Sequence, residues 1–220
     1  MTGTNRSMGP WASTGLLWML GPLWYLLCEA IAATAFPGYS YATNYISDLG
    51  VPDKGILDGR VLNSPLHAVM NAGFIGEGIL FLLGLVLLLP RLHRTASVTL
   101  LIIFGALHTV GIVLVGVVPG AEAYVHNGLI VWHVVGAFLA IASGNLVAII
   151  AGRSLRMSRV IRRTGSILGA LGFASAALLM VHFLLPDGIW ERASVYTFLA
   201  WQLVTATVLL RGSAVPDGPR

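Results

Sequence analysis

The sequence predicts an all-α protein, a polytopic integral membrane bundle of about six transmembrane helices with both termini in the cytoplasm. Of its 220 residues, 56% are hydrophobic and only 10% are charged, whereas soluble domains average about 25% charged residues. Six apolar runs are long enough, or nearly so, for a helix of about 20 residues to cross the hydrocarbon layer. No polar segment between them is long enough to bury a soluble core. The whole chain, 1–220, is therefore predicted to be a single membrane domain.

The predicted spans cover 14–36, 68–89, 97–118, 129–152, 164–185 and 195–210, and the last is the shortest. The first span ends in Ala33-Thr34-Ala35, which resembles a signal-peptide cleavage site. The apolar run before this site is longer than the usual signal-peptide core and contains Glu29, so we expect no cleavage there. The single cysteine, Cys28, lies in the same run, which excludes an intramolecular disulfide.

Arginine and lysine residues are distributed unequally between the two sides of the predicted bundle. Ten lie on one side, at Arg6, Arg91, Arg94, Arg153, Arg156, Arg159, Arg162, Arg163, Arg211 and Arg220, and three on the other, at Lys54, Arg60 and Arg192. Because cytoplasmic loops carry the excess of basic residues, we expect a multi-pass protein of the cell membrane with cytoplasmic termini. The net charge of +4 thus indicates orientation and not a nucleic-acid partner. The basic link 153–163 is also a candidate contact for anionic lipid.

The longest link on the predicted non-cytoplasmic side, 37–67, contains the stretch YSYATNYISDLG. A link that only connects two helices needs no particular side chains, so the tyrosines and Asp48 indicate a positioned structure. The link ends in NSPLHAVMN, where Ser64 is predicted to cap the second helix. Pro65 suits the first helical position, because its missing N–H would have no partner there.

Five sequence elements resemble the bacterial membrane-protein family catalogued as domain of unknown function 998. They are YSYATNYISDLG after the first span, SPLHAVMN opening the second, GEGILFLLG within it, VLVGVVPG closing the third and WERASVYTFLAWQL near the end. The resemblance covers nearly the whole chain and implies a helical membrane fold of about six spans, without an established activity. The positions that match are Tyr45, Ser47, Asp48, Gly50, Ser64, His67, Asn71, Gly78, Gly116, Pro119, Glu191 and Arg192.

Ionisable side chains within the spans are expected to face the bundle interior or a water-filled cavity. At about 1.5 Å per residue, Glu29, Glu77, His108, His133 and His182 lie roughly 10, 13, 15, 6 and 5 Å, respectively, from the non-cytoplasmic ends of their spans. All five fall toward the same half of the bilayer. Beneath the link that carries Asp48, they outline a polar chamber with the link as its lid.

The positions of two of these residues around their helices predict which way their side chains point. Glu77 shares a face with Gly73 and Gly84, and His133 shares one with Ala140. Small residues mark helix faces where neighbouring helices approach closely. Glu77 and His133 are therefore predicted to point inward and to be partners.

The candidate site follows from depth, phase and chemistry. The predicted catalytic residues are Glu77, Glu29, Asp48 and His133, with a glutamic acid as proton donor and His133 or Asp48 as base, because burial favours the neutral form of a carboxyl group. The predicted substrate-binding residues are Tyr45, His67, Asn71, Trp18, Tyr25, His108, His182, Glu191 and Arg192. Among these, His67 and Asn71 lie four residues apart on one helix face.

The same residues also have a purely structural interpretation. Buried glutamate and histidine side chains can bond to each other and fix helix register, each such bond contributing about 0.6 to 2 kcal/mol. Asp48 before Leu49-Gly50 is typical of a residue that caps a turn. Glu191 and Arg192 are typical of an ion pair or anchor at the rim of the membrane.

Three functions from different classes fit the pattern. The first is a membrane-embedded enzyme that performs acid–base chemistry on a lipid or isoprenoid-like amphiphile. The second is a non-catalytic lipid-binding or accessory membrane protein. The third is a small proton-coupled transporter, although the chain has no convincing inverted repeat or broken helix pair.

Other chemistries match the sequence less well. Zinc binding lacks an H-E-x-x-H motif. Ser47, Asp48 and His67 contain the residue types of a hydrolase triad but no spacing that identifies one. We predict no metal site and no cofactor. The predicted partners are membrane lipids and an amphiphilic small-molecule ligand, with no nucleic acid, and no oligomeric state is predicted.

Overall fold

A computed structural model of the protein describes residues 10–212 and confirms the predicted all-α class. Six helices in this part of the chain are long and apolar enough to cross a membrane: α1 Pro10–Ala35, α2 His67–Leu88, α3 Ala96–Val117, α5 Ile130–Ser154, α6 Arg159–Met180 and α7 Asp187–Leu210. A short helix, α4 Glu122–His126, precedes α5. Arg6 and Arg220, which entered the charge count, lie outside the described residues.

The spanning helices form a closed ring in chain order. Each packs against the next, and α7 packs against α1. Helices α3 and α5 approach closely at Gly111, where a Cβ would lie 2.4 Å from the Ala140 backbone nitrogen. On α2, a Cβ at Gly84 would lie 2.5 Å from Trp18 Nε1, and one at Gly73 would lie 2.7 Å from Cys28 Cβ. The expectation that the glycine face of α2 packs closely on a neighbouring helix is therefore confirmed.

The two ends of the bundle differ in chemistry. The links 36–66, 118–129 and 181–186 form what we call the loop end, and the links 89–95 and 155–158 form the Arg-rich end. At the loop end, 36–66 folds into a 3₁₀ turn, Ser47–Gly50, followed by an antiparallel hairpin of β1 Gly55–Leu57 and β2 Arg60–Leu62. The hairpin turns at Asp58 and Gly59, both with positive φ, as its two-residue connection requires.

Among the helix boundaries that differ from the predicted spans, two affect predicted site residues. Helix α7 begins at Asp187, not at 195, because Glu191 and Arg192 find partners within the fold and continue the helix. Helix α6 ends at Met180, so His182 lies beyond it in the left-handed region, at φ 49°. The charged residues near position 190 thus lie inside a helix, where low hydropathy had indicated a link.

The predicted start of the second span was also wrong in detail. Ser64 does not cap α2, whose first residue is His67. Its hydroxyl donates instead to the Leu49 carbonyl at 2.6 Å, while the Ser64 carbonyl accepts from the His67 backbone N–H. Pro65 lies in the turn before the helix. The Ser64 side chain therefore stabilises the 3₁₀ turn and does not cap the helix.

Membrane orientation stays a prediction from the arginine distribution. In a Cys28→Ala background, we expect Thr43→Cys at the loop end to react with a membrane-impermeant maleimide in intact cells. His93→Cys at the Arg-rich end should react only after permeabilisation. Both positions are exposed, so access depends on sidedness, whereas the native Cys28 is buried. Labelling of His93→Cys in intact cells would reverse the orientation.

Candidate functional site

Arg192 lies at the centre of the polar network at the loop end. It projects from the first turns of α7 and is only 7% exposed. Its Nε donates to Glu29 Oε1 on α1 at 3.1 Å, and the other oxygen of Glu29 accepts from the Tyr196 hydroxyl at 2.7 Å. Both carboxylate oxygens of Glu29 are therefore occupied by protein donors.

The remaining donors of Arg192 hold the link that contains YSYATN. Nη1 donates to the backbone carbonyls of Tyr41 and Asn44, each at 2.8 Å, and to Gly188 at 3.0 Å. Nη2 donates to the Tyr39 hydroxyl. The planar guanidinium thus fastens the link to α7 and α1 at once. Burial raises the pKa of Tyr39, so this phenol keeps its proton and donates to the Tyr45 carbonyl at 3.1 Å.

Asp48 stabilises the turn in the same link. Its Oδ2 accepts from the Tyr45 backbone N–H at 3.0 Å and from Asn44 Nδ2 at 3.3 Å. Arg60 Nε pairs with the same oxygen at 3.1 Å, and the Arg60 guanidinium lies 4.0 Å from the centroid of the Tyr45 ring. These are the contacts of a turn-capping carboxylate with a partner on the neighbouring hairpin.

Three further predicted site residues form hydrogen bonds at the start of α7. The Tyr45 hydroxyl donates to Asp187 Oδ2 at 2.9 Å, and burial raises the pKa of this phenol. The same Asp187 oxygen lies 2.7 Å from His182 Nδ1. Glu191 accepts the backbone N–H of Ile46. The Tyr45, His182 and Glu191 side chains therefore bond to the protein itself.

Three predicted site residues in the first turns of α2 and α5 bind backbone carbonyls. His67 Nδ1 donates to Ser64 at 3.1 Å, and His133 Nδ1 donates to Val118 at 2.7 Å. Asn71 Nδ2 donates to Gly50 at 2.9 Å, while Asn71 Oδ1 is buried without a partner among the described residues. His133 therefore fixes the end of α3 and is not the partner of Glu77 that we had predicted.

The partner of Glu77 is His108 on α3. Glu77 Oε2 and His108 Nε2 are 3.1 Å apart, and both residues are buried, at 1% and 4% exposure. His108 Nδ1 lies 2.9 Å from the Ala140 carbonyl, which can only accept, so Nδ1 carries a proton. One further proton then bridges Nε2 and Oε2. Glu77 Oε1 has no partner among the described residues.

Aromatic rings enclose this Glu77–His108 couple. The His108 ring lies 4.2 Å from Phe198 and 5.4 Å from Phe81, measured between centroids. Phe81 stacks on Trp18 at 5.3 Å, and Trp18 Nε1 donates to the Phe81 carbonyl. Trp18, a predicted ligand-binding residue, is thus part of the packed centre of the bundle. Gln202 lies in the same interior with both amide atoms unpartnered among the described residues.

Three cavities meet at Ile141 on α5. An apolar groove of about 400 Å³ runs between α5 and α6 and includes Ala137, Phe138 and Met180. A cavity of about 40 Å³ shares Ala137 and Ile141 with it and reaches Tyr25 and Glu191. A third, of about 20 Å³, shares Ile141 with both and touches His108. The predicted chamber is therefore largely filled by side chains that bond to one another.

Several residues that build this region were missed from the sequence. Tyr196 lies four residues after Arg192 on α7, so helical spacing could have identified it. Arg60 was used only for the charge count, although it lies in the same link as Asp48. Asn145 joins α5 to α7 by donating to the Ser194 carbonyl at 2.9 Å. It was not predicted, because asparagine is polar but not ionisable. Within 10–212, no group of three or more His, Cys, Asp or Glu residues could hold a metal ion.

Comparison with known proteins identifies the family of this chain. No curated protein and no solved structure matches it. A family model described as "Protein of unknown function (DUF998)" matches residues 19–208. This range includes the six spanning helices from the middle of α1 nearly to the end of α7, together with the link that carries Asp48. The protein is a multi-pass membrane protein that belongs to the DUF998 family.

Proposed function

We propose that this protein binds an amphiphilic lipid or isoprenoid-like molecule from the bilayer, with the apolar part of the ligand in the groove between α5 and α6. The observation that carries the proposal is the groove itself. Its volume of about 400 Å³ is within the range of small-molecule sites, about 300 to 1,000 Å³. All ten of its lining residues are apolar, and its inner wall at Ile141 adjoins the two interior cavities.

The dimensions of the groove fit a hydrocarbon chain. Its α5 wall runs from Val134 to Ala142, a rise of about 12 Å along the helix. The α6 wall ends at Met180, two residues before His182, whose imidazole bonds to Asp187 at the loop end. A ligand in the groove would thus have its chain beside Phe138 and its polar part near the His182–Asp187 pair. Apolar walls below a polar rim suit an amphiphile.

A second candidate function, acid–base chemistry on such an amphiphile, is favoured by the Glu77–His108 couple. The Ala140 carbonyl orients His108, as a third group orients the base in many catalytic sites. The cavity beside His108 holds only about 20 Å³, so a substrate would reach the couple only if Ile141 moved. Binding in the groove requires no such movement, and we therefore propose binding first.

Filling the groove tests the binding proposal. Ala177→Trp on α6 should displace the end of a bound chain. If the indole ring excludes two methylenes of the ligand chain from the groove, each worth about 0.8 kcal/mol, the affinity should fall by about tenfold. The measurement is native mass spectrometry of the lipids and isoprenoids that co-purify with the protein and survive transfer into detergent.

Ala174→Trp is the matched control, because Ala174 is also an exposed alanine of α6 but does not line the groove. It should retain the wild-type ligand. Equal retention by wild type and both variants, or no retained amphiphile in any of them, would refute binding in this groove.

A further inference from the structure

The Arg-rich end carries a basic cavity of about 270 Å³. Four cationic or ionisable side chains line it: Arg91 and His93 from the link after α2, Arg153 from the last turn of α5 and Arg156 from the link after it. The first residues of α3 and Trp11 of α1 complete the wall. Two separate segments of the chain therefore bring basic groups to one concave surface, and two others complete its wall.

No acidic residue of the described chain lies at this end. The described acidic residues lie in the spanning helices, at Glu29, Glu77, Asp187 and Glu191, or in the loop-end links, at Asp48, Asp53, Asp58 and Glu122. None of the arginines that line the cavity forms an ion pair with a described residue. This differs from Arg60 and Arg192, both of which pair with carboxylates. Within residues 10–212, therefore, no carboxylate neutralises the charge of the cavity, and an external anion could bind to it.

The cavity is built on fixed backbone. Ser154 Oγ donates to the Ser97 carbonyl at 2.8 Å and so joins the end of α5 to the start of α3. Thr95 caps α3 by accepting the Val98 N–H at 3.3 Å. Arg156 has φ 53° in the turn that closes α5, a position where glycine is usual. An arginine therefore occupies this left-handed position despite its less favourable φ, and its side chain lines the cavity.

A second basic groove adjoins the first. Arg153 lines both, and the second, of about 300 Å³, adds Arg159, Arg162 and Arg163 from the start of α6. Arginine is suited to phosphate because its planar donors bind two oxygens at once. We infer that the cavity bordered by Arg153 and Arg156 binds a phosphate-bearing anion, with the phosphate between these two guanidinium groups.

The apolar residues of the basic cavity help to distinguish a phospholipid from a soluble phosphate compound as the ligand. Trp11, Leu92 and Leu155 give the basic cavity an apolar side. A phospholipid headgroup would set its phosphate on the arginines and the glycerol and first methylenes against these residues. A soluble phosphate compound would use the arginines alone. Both sources share the phosphate chemistry, and the experiment separates them.

The test uses the full-length protein in nanodiscs of phosphatidylcholine that contain a minor fraction of phosphatidylglycerol. Native mass spectrometry counts the phosphatidylglycerol retained on wild type, Arg153→Gln and Arg156→Gln. Loss of a pocket arginine that binds phosphate bidentately should weaken retention by about tenfold or more. In a second arm, inorganic phosphate and pyrophosphate compete for the site, and protection of the arginines from phenylglyoxal reports binding of these soluble anions.

The control is Arg94→Gln, which removes the same charge at the same end from a side chain that lines neither cavity. It should change retention by less than about fivefold, the effect of one surface arginine. Retention of phosphatidylglycerol that depends on Arg153 identifies a lipid site, and protection by pyrophosphate without lipid retention identifies a soluble ligand. Equal effects of Arg94→Gln and Arg153→Gln, or no binding in either arm, would overturn the inference. Because Arg153 and Arg156 are exposed, both variants should fold, and their melting temperatures check this.

Discussion

Replacing Arg192 with methionine is expected to lower the free energy of unfolding by about 3 to 5 kcal/mol, the usual cost of removing one partner from a buried ion pair. The substitution leaves the Glu29 carboxylate without its guanidinium. It also leaves the carbonyls of Tyr41 and Asn44 without their donor, so the link at the loop end loses its main attachment to α7. Equilibrium unfolding in mixed micelles with increasing sodium dodecyl sulfate measures the loss.

Two further variants separate the charge of Arg192 from its shape. Arg192→Lys keeps the charge but lacks the planar fork, so it should give an intermediate loss. Glu29→Gln combined with Arg192→Met removes both charges yet leaves the backbone carbonyls unpaired, so it should recover less than half of the stability. Full recovery in the double variant would mean that the ion pair alone matters. Arg94→Met, at an exposed arginine, should stay within about 0.5 kcal/mol of wild type.

The sequence was sufficient for the helices because their signal is local. A run of about 20 apolar residues must satisfy its backbone polar groups internally, and a helix is the one way for a single segment to do so. The face of α2 that carries Gly73 and Gly84 was also readable, because small residues recur at helical spacing where α1 approaches. Both inferences use only neighbours along the chain.

Pairings between distant residues were harder to predict. Arg192 and Glu29 are 163 positions apart, and nothing in the spacing of either helix indicates the other. Their mutual neutralisation is also why α7 begins before its apolar run. His133 was predicted as the partner of Glu77 because it lies on a helix face of small residues. The estimated depths already favoured His108, which lies roughly 15 Å from the outer end of its span, compared with roughly 13 Å for Glu77 and roughly 6 Å for His133. Depth was the stronger criterion, because side chains on neighbouring helices can meet only where they lie at similar depth.

For the Glu77–His108 couple, in contrast to the Arg192 network, we expect a double variant to recover most of the lost stability. Glu77→Met or His108→Phe alone should cost about 2 to 4 kcal/mol, because each leaves a buried polar group without its partner. The double variant should recover most of that loss, since both polar groups are removed together from a site enclosed by Phe81, Phe198 and Trp18. The same unfolding titration measures all three variants. A double variant no more stable than the singles would contradict the assignment of the pair.

Glu77→Gln then separates a structural role for the couple from a catalytic one. The amide of glutamine can still donate to His108 Nε2, so the fold and any amphiphile bound in the α5–α6 groove should be retained, but residue 77 can no longer give up a proton. If the couple acts on a bound amphiphile, turnover should fall by about 10² to 10⁴, the usual contribution of a general acid. The assay incubates wild type and Glu77→Gln with the lipids or isoprenoids that co-purify with the protein and analyses the products by mass spectrometry. Wild-type turnover in Glu77→Gln would exclude Glu77 as the proton donor. If wild type itself leaves every retained amphiphile unchanged, the couple is a structural bond between α2 and α3, and the groove serves binding alone.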